Sequence, residues 1–296
     1  MIRYERFTKR FENVTAVDAL SLDIGRGEIV ALLGPNGSGK TTTLKAAAGL
    51  LTPTSGSVLV GDPARPASDP GGRRAISYLP QRVSFPDALT GREVVEFYRR
   101  LRGIAPGRSD EVLRFASLNG ASNRSVGTYS GGMIQRLGLA VAALPQSEVL
   151  LLDEPTAALD PDGLCAFYGL AIQIRTDRRT VVFTSHHLGD VERLADRFGI
   201  LVGGKLVALM TAQELSERLG RRAVLQLVVD REAQPLIAAL LPIAPRAFAT
   251  GNELRVEAAP ELRVAILDAV RNAGAEIRSV TTEEGRLESL YRELVS

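Results

Sequence analysis

The segment Gly34-Pro35-Asn36-Gly37-Ser38-Gly39-Lys40-Thr41 constrains this chain more than any other. It sets the pattern Gly-x-x-x-x-Gly-Lys-Thr directly after the apolar run Ile29–Leu33 and at the start of the helix-compatible run Lys40–Leu51. Glycines let successive backbone N–H groups converge on one point without Cβ clashes. A helix that starts there aims the positive end of its dipole at the same point. Strand, loop and helix in this order form the context in which the pattern cradles the phosphates of a nucleoside triphosphate. Gly34 to Thr42 would line the cradle, Lys40 would neutralise the β- and γ-phosphates, and the Thr41 hydroxyl would ligate Mg²⁺. A chance glycine-rich turn has no need of the flanking strand and helix. The loop alone does not choose among the many enzymes that share it.

A second feature narrows the field. Glu148-Val149-Leu150-Leu151-Leu152-Asp153-Glu154-Pro155 is an apolar strand that ends in two acids. A buried parallel strand delivers such residues to the C-terminal edge of the sheet, where ligands bind in α/β folds. Asp153 suits magnesium, directly or through water. Glu154, one residue on, points differently and suits a general base for an attacking water. A strand that simply ends in solvent would also tolerate Asp-Glu; the phosphate loop in the same chain favours the chemical reading.

Composition excludes several other classes. Of 296 residues, 45% are hydrophobic and 24% charged, and the net charge is +2, which is neither a basic nucleic-acid binder nor an acidic disordered chain. The single cysteine, Cys165, rules out an internal disulfide and fits a reducing compartment. The most apolar windows, Ile29–Leu33, Val149–Leu152 and Leu236–Leu241, fall far short of the roughly 20 residues that a membrane span needs. Met1–Arg10 carries charges throughout and lacks the apolar core of a signal peptide. A cytoplasmic protein is expected, with any membrane role running through a partner.

Short apolar runs alternate with helical patterns, which predicts an α/β layered domain. Strands are expected at Leu20–Ile24, Val58–Val60, Ile76–Leu79 and Thr180–Thr184 besides those already named, and Leu137, Ala140, Val141 and Leu144 mark one face of a helix. The composition shifts near Gly220. Beyond it a strand at Ala223–Asp230, a helix at Glu232–Leu241, a turn at Thr250–Asn252, a strand at Glu253–Glu257 and a helix opened by Pro260 are predicted, the last with Leu262, Ile266, Ala269 and Val270 on its apolar face. Arg221–Ser296 reads as a small separate α/β domain.

Tyr129-Ser130-Gly131-Gly132-Met133-Ile134-Gln135-Arg136 completes a constellation. With the phosphate loop and the acid strand, it resembles the nucleotide-binding subunits of ABC transporters in motif order and spacing, from Ile2 to about Gly220. Leu is commoner in that family where Tyr129 stands and Gln where Met133 stands; the core Ser130-Gly131-Gly132 is intact. The resemblance implies a P-loop NTPase ABC cassette over residues 1–220, with a mixed-sheet core and a helical subdomain at about 85–145, ahead of the small C-terminal domain at 221–296. It also implies ATP and Mg²⁺ as cofactors and ATP hydrolysis as the activity. Ser130 is a good N-cap, and Gly131 and Gly132 expose the first N–H groups of the next helix. That second anion site suits the γ-phosphate held by another ATPase subunit, so a head-to-tail dimer with two sandwiched ATP molecules is expected. Both half-sites look complete, which favours a homodimer.

Smaller elements fall where the family pattern places them. Phe11 matches the aromatic that stacks on adenine; the alternative is an ordinary core or surface aromatic. Gln81, in Tyr78-Leu79-Pro80-Gln81, matches the glutamine that senses Mg²⁺ and water and links to the transport partner; the alternative is a solvated loop glutamine. Asp160, in Ala158-Leu159-Asp160, matches the polar contact across the dimer interface, where a simple turn before Pro161 is the alternative. His186, in Thr184-Ser185-His186-His187, matches the histidine that contacts the γ-phosphate. His186 and His187 are the only histidines. Neighbours on a strand point to opposite faces, so they do not make a zinc site, and His187 reads as structural or exposed.

The segment that opens with Phe85–Glu93 belongs by resemblance to the helical subdomain, which in the family receives a short helix from an integral-membrane permease on a separate chain. Arg99-Arg100-Leu101-Arg102 there reads equally well as a solvated face. The ending Arg286–Tyr291 resembles export-type subunits, and with Phe85–Arg92 it is most like the ATPase of a copper-linked system for nitrous-oxide reductase maturation. No residue contacts cargo, so multidrug, lipid and polysaccharide export stay open. Soluble ABC ATPases that act on ribosomes or DNA form a different class. They carry two cassettes or an inserted coiled coil; this chain has one phosphate loop and no sustained heptads, and no nucleic-acid partner is expected. A regulatory, binding-only cassette would be expected to lack Glu154 or His186, and both are present.

Overall fold

The computed structural model describes residues 1–157, 159–185, 193–211, 213–214, 224–258 and 260–283. The chain divides into two compact units, Met1–Thr211 and Ala212–Ser296. The composition shift near Gly220 falls outside the described residues.

The first unit holds two sheets. One is antiparallel, with strands β1 (Ile2–Phe11), β2 (Val14–Ile24), β4 (Ser55–Val60) and β5 (Arg65–Pro66) in the order β2-β1-β4-β5. The other runs β10-β9-β3-β8-β7-β6, from β3 (Ile29–Leu33), β6 (Ile76–Leu79), β7 (Val149–Leu152), β8 (Thr180–Ser185), β9 (Arg197–Val202) and β10 (Lys205–Thr211). Its pairs are parallel except β10 on β9. Every residue of β3, β7 and β8 is buried, as expected of continuous apolar runs covered on both faces.

Helix α1 (Lys40–Ala47) places Leu44, Ala46 and Ala47 in one core with Tyr4 and Phe7 of β1 and Leu32, Leu151 and Val182 of the parallel sheet. The helix stops short of the predicted Leu51. Gly49 takes φ +68°, and Gly49 and Leu50 N–H groups turn back onto the Ala46 and Lys45 carbonyls at 3.1 and 2.9 Å. This is the glycine-terminated helix end that left-handed backbone permits.

After α2 (Pro70–Arg74), between β6 and β7, come α3 (Gly91–Leu101), α4 (Arg108–Phe115) and α5 (Gly131–Ala143), which pack on one another. Thr90 opens α3 with a reciprocal cap: its hydroxyl accepts from the Glu93 N–H at 3.2 Å, and the Glu93 carboxylate accepts from the Thr90 N–H at 2.8 Å. Helix α6 (Pro161–Thr176) lies against β8, where the Phe167 and Phe183 rings meet edge to face at 6.2 Å. Burying each such ring stabilises the fold by roughly 2–3 kcal/mol.

Parallel order gives the sheet two unlike ends. The C-terminal ends of β3, β6, β7 and β8 carry the phosphate loop, Gln81, the two acids and Thr184–Ser185. The opposite end carries turns, among them those of Gly25–Glu28, Gln146–Glu148 and Asp177–Arg179.

The second unit runs β11 (Val224–Val229), α7 (Ile237–Leu240), β12 (Arg246–Thr250), β13 (Glu253–Glu257), α8 (Arg263–Asn272), β14 (Ile277–Glu283). Its sheet order is β12-β13-β11-β14, with every neighbouring pair antiparallel. Each helical connection skips over one strand, which is the split β-α-β, ferredoxin-like arrangement. Leu225, Leu227, Leu240, Leu254, Val256, Ile266 and Val270 form its core.

Two expectations for this unit change, and two of its strands are additional. The predicted helix Glu232–Leu241 shortens to a 3₁₀ turn, Gln234–Leu236, and α7. Pro235 has no N–H and stands in the first positions of the 3₁₀ turn, where a helix start has no use for that donor, so helical backbone opens there rather than at Glu232. Leu262 is 37% exposed and belongs to a 3₁₀ turn, Pro260–Leu262, rather than to the apolar face of α8. Strands β12 and β14 carry weak sequence signals: Ala247 and Ala249 are poor strand formers, and Ile277 and Val280 stand three residues apart rather than two. Among the described residues no helix is long and apolar enough to cross a membrane.

Candidate functional site

The phosphate loop turns tightly between β3 and α1. Gly34 has φ +153°, and a Cβ there would sit 2.2 Å from the Leu201 carbonyl oxygen; at Gly39, with φ +99°, it would sit 2.4 Å from that of Ala16. Only glycine fits either position. The Ser38 hydroxyl is buried in the loop without a hydrogen-bond partner, an orphaned polar group in a cradle built for one.

Lys40 is 5% exposed, and its ammonium donates to the Gly34 and Pro35 carbonyls at 2.6 and 3.0 Å. Burial lowers its pKa, and the charges of Glu154 and Asp153 work in the opposite direction. Both acids stand where strand β7 delivers them. Asp153 is 1% exposed. Its Oδ1 accepts from the Thr41 hydroxyl at 3.1 Å and from the Thr184 hydroxyl at 2.8 Å, and its Oδ2 from the Tyr78 hydroxyl at 3.4 Å. Burial first, and the Asp153 charge second, push the Tyr78 phenol up.

Glu154 has left-handed backbone, φ +48°. Its N–H donates to the Thr184 hydroxyl at 2.7 Å, and its Oε2 accepts from the Gln81 amide at 2.9 Å. A cleft of about 410 Å³ runs from Phe11 on β1, across loop residues 36–42, to Gln81 and Glu154. Phe11 is 44% exposed, with the Lys9 ammonium 5.1 Å from its ring centre. An aromatic face, a cradle of N–H groups with a lysine, and a carboxylate at the far end can hold a nucleotide and present a base to its terminal phosphate. Asp153, Thr41 and Gln81 offer oxygen ligands only, which suits a hard divalent cation such as Mg²⁺. Among the described residues no cluster of three or more His, Cys, Asp or Glu could hold a metal by itself.

Other sequence candidates lie away from this cleft. Ser130 caps α5, its hydroxyl accepting from the Met133 N–H at 3.2 Å, and Ser130 and Gly131 are exposed. Asp160 accepts from the Gly163 N–H at 2.9 Å at the start of α6 and from Arg136 on α5 at 3.2 Å. His186, His187, Ala158 and the ending Arg286–Tyr291 are outside the described residues. Thr184 and Tyr78 had no role in the sequence reading. Their signal was position alone: each stands one residue before the end of a strand that flanks the acid strand.

The pattern of the ABC transporter family matches residues 17–157, which contain the phosphate loop, the acid strand and Ser130–Gly132. The linearmycin resistance ATP-binding protein of Bacillus subtilis is 31% identical over 261 residues, 87% of this chain and 84% of that protein. A daunorubicin resistance ATP-binding protein of Streptomyces coeruleorubidus is 33% identical over 97% of this chain and 93% of its own length. The chain belongs to the ABC transporter family. It is an ATP-binding subunit of that family, and it hydrolyses ATP. The ABC cassette fold is shared with a solved dimeric ATP-binding cassette in a post-hydrolysis state bound to ADP and Pi, at 27% identity and a TM-score of 0.65 over 72% of this chain and 99% of that one. It is shared also with an ATP-binding subunit of an ABC transporter, at 25% identity and a TM-score of 0.67 over 74% and 93%.

Proposed function

We propose that this ABC subunit powers an exporter whose membrane-spanning part is a separate chain, and that it works as a homodimer on the cytoplasmic face of the membrane. The observation that carries the chemistry is that Lys40 and Glu154 line one cleft at one end of the sheet, with Asp153 buried behind it and bonded to Thr41 of its lining. In this reading Phe11 stacks on adenine, and the N–H groups of residues 34–42 with Lys40 hold the phosphates. Thr41, Asp153 and Gln81 would hold Mg²⁺, which supplies charge neutralisation on the β- and γ-phosphates when bound. Glu154 takes a proton from the attacking water as the new O–P bond forms and the bond to the ADP oxygen breaks. His186 helps orient that water. Ser130, Gly131 and Gly132 of a second copy, with its Asp160, close the site from across the dimer, because in this chain they stand clear of its own cleft. Loss of the γ-phosphate removes what holds the two copies together, and their separation is the mechanical output.

Support for export comes from the resistance proteins that the chain resembles. The likeness of Phe85–Arg92 and Arg286–Tyr291 to a copper-linked system gains nothing from these relatives. The same relatives favour transport over action on ribosomes or DNA.

The test is Glu154→Gln, purified from native membranes with ATP. The variant should keep ATP affinity, lose turnover by about a hundredfold or more, and elute as a dimer with a multi-span membrane protein. Wild-type turnover would remove Glu154 from its role. Ribosomal or DNA-bound partners in place of a membrane protein would overturn the transport reading and leave the ATPase chemistry standing.

A further inference from the structure

We infer that Thr184 is a positioning residue for ATP hydrolysis, one hydroxyl that sets the backbone of the base and the carboxylate of its neighbour together. The inference rests on the reading of Glu154 as the base. Strands β7 and β8 are parallel with Leu152 beside Phe183, so the next step along each brings Asp153 level with Thr184. Thr184 is fully buried. Its oxygen accepts from the Glu154 N–H at 2.7 Å, and its only proton goes to Asp153 Oδ1 at 2.8 Å. A hydroxyl has one proton to give, so donation to one acid and acceptance from the other fix its orientation.

The bond from Glu154 matters because of the conformation it holds. Glu154 sits at φ +48°, a region that costs a side-chain-bearing residue free energy and persists only where surrounding contacts impose it. The short bond from its N–H to a buried hydroxyl that is itself bonded to Asp153 is such a contact. Rotating that peptide toward ordinary strand geometry would swing the carboxylate away from Gln81 and the cleft. Thr184 acts through Glu154 and Asp153 and touches no reacting atom.

Thr184→Val keeps the shape and removes both bonds. Its kcat should fall about tenfold or more, while KM and the calorimetric ATP affinity stay within about threefold. Amide hydrogen exchange of the nucleotide-free subunit should quicken at Glu154, since its N–H loses its partner. Thr184→Ser restores the hydroxyl and should bring kcat back to within about threefold of wild type. Thr184→Ala carries the same expectations as valine should the valine variant fail to fold. A hydroxyl-free variant with wild-type kcat and unchanged exchange, beside an inactive Glu154→Gln, overturns the role of Thr184 and leaves the base standing. So does a serine variant as slow as valine. Wild-type turnover by Glu154→Gln removes the base itself and the inference with it.

Discussion

Lys40 is paired before any nucleotide arrives. Its ammonium rests on two carbonyls of its own loop, and burial already makes its charge costly. In the proposed binding mode phosphate oxygens replace those neutral carbonyls as acceptors, so that both partners carry charge, each such bond contributing about 1.5–3 kcal/mol. Lys40→Ala should therefore weaken ATP binding by a factor of about ten to a hundred, measured by calorimetry, with the melting transition nearly unchanged; unaltered affinity would show that the cradle works without it. The residues of this site were legible in the sequence where chemistry fixes their type: Lys40, Thr41, Asp153 and Glu154 sit in motifs that tolerate few substitutes. Tyr78 and Thr184 were not. Their partnership with Asp153 arises from the lateral alignment of three strands, and a buried strand's apolar run carries no record of which residue stands beside which.

At the scale of elements, the continuous apolar runs β3, β7 and β8 were legible because a parallel sheet covered on both sides has no polar face to interrupt them. Strand β1 was not. It begins with clean alternation at Ile2, Arg3 and Tyr4, and then Arg6 turns to φ +47° and the register against β2 shifts, so Phe7 is buried out of phase. Helix α3 shows what a local signal contributes when it is complete. Its reciprocal Thr90–Glu93 cap satisfies backbone donors that the first turn leaves open. Thr90→Ala should destabilise the protein by about 1 kcal/mol in chemical denaturation, with ATP affinity unchanged. No change in the midpoint would mean that tertiary packing alone starts the helix.

For the whole molecule, the two units have separate cores, one around Phe7, Leu44 and Leu151 and the other around Leu227, Val256 and Ile266. Removing Ala212–Ser296 should leave a cassette that melts in one cooperative transition and still binds ATP. A broad, non-cooperative melt would show that the first unit depends on the second. The unlike ends of the parallel sheet also bear on how the protein can be watched. The residues that line the nucleotide cleft leave the sheet from one end, and the turns at the other hold Gln146 and Arg178 exposed. A dye attached at either position would ride on the same rigid strands that hold the acids, and could follow the subunit through its cycle without sitting in the path of nucleotide.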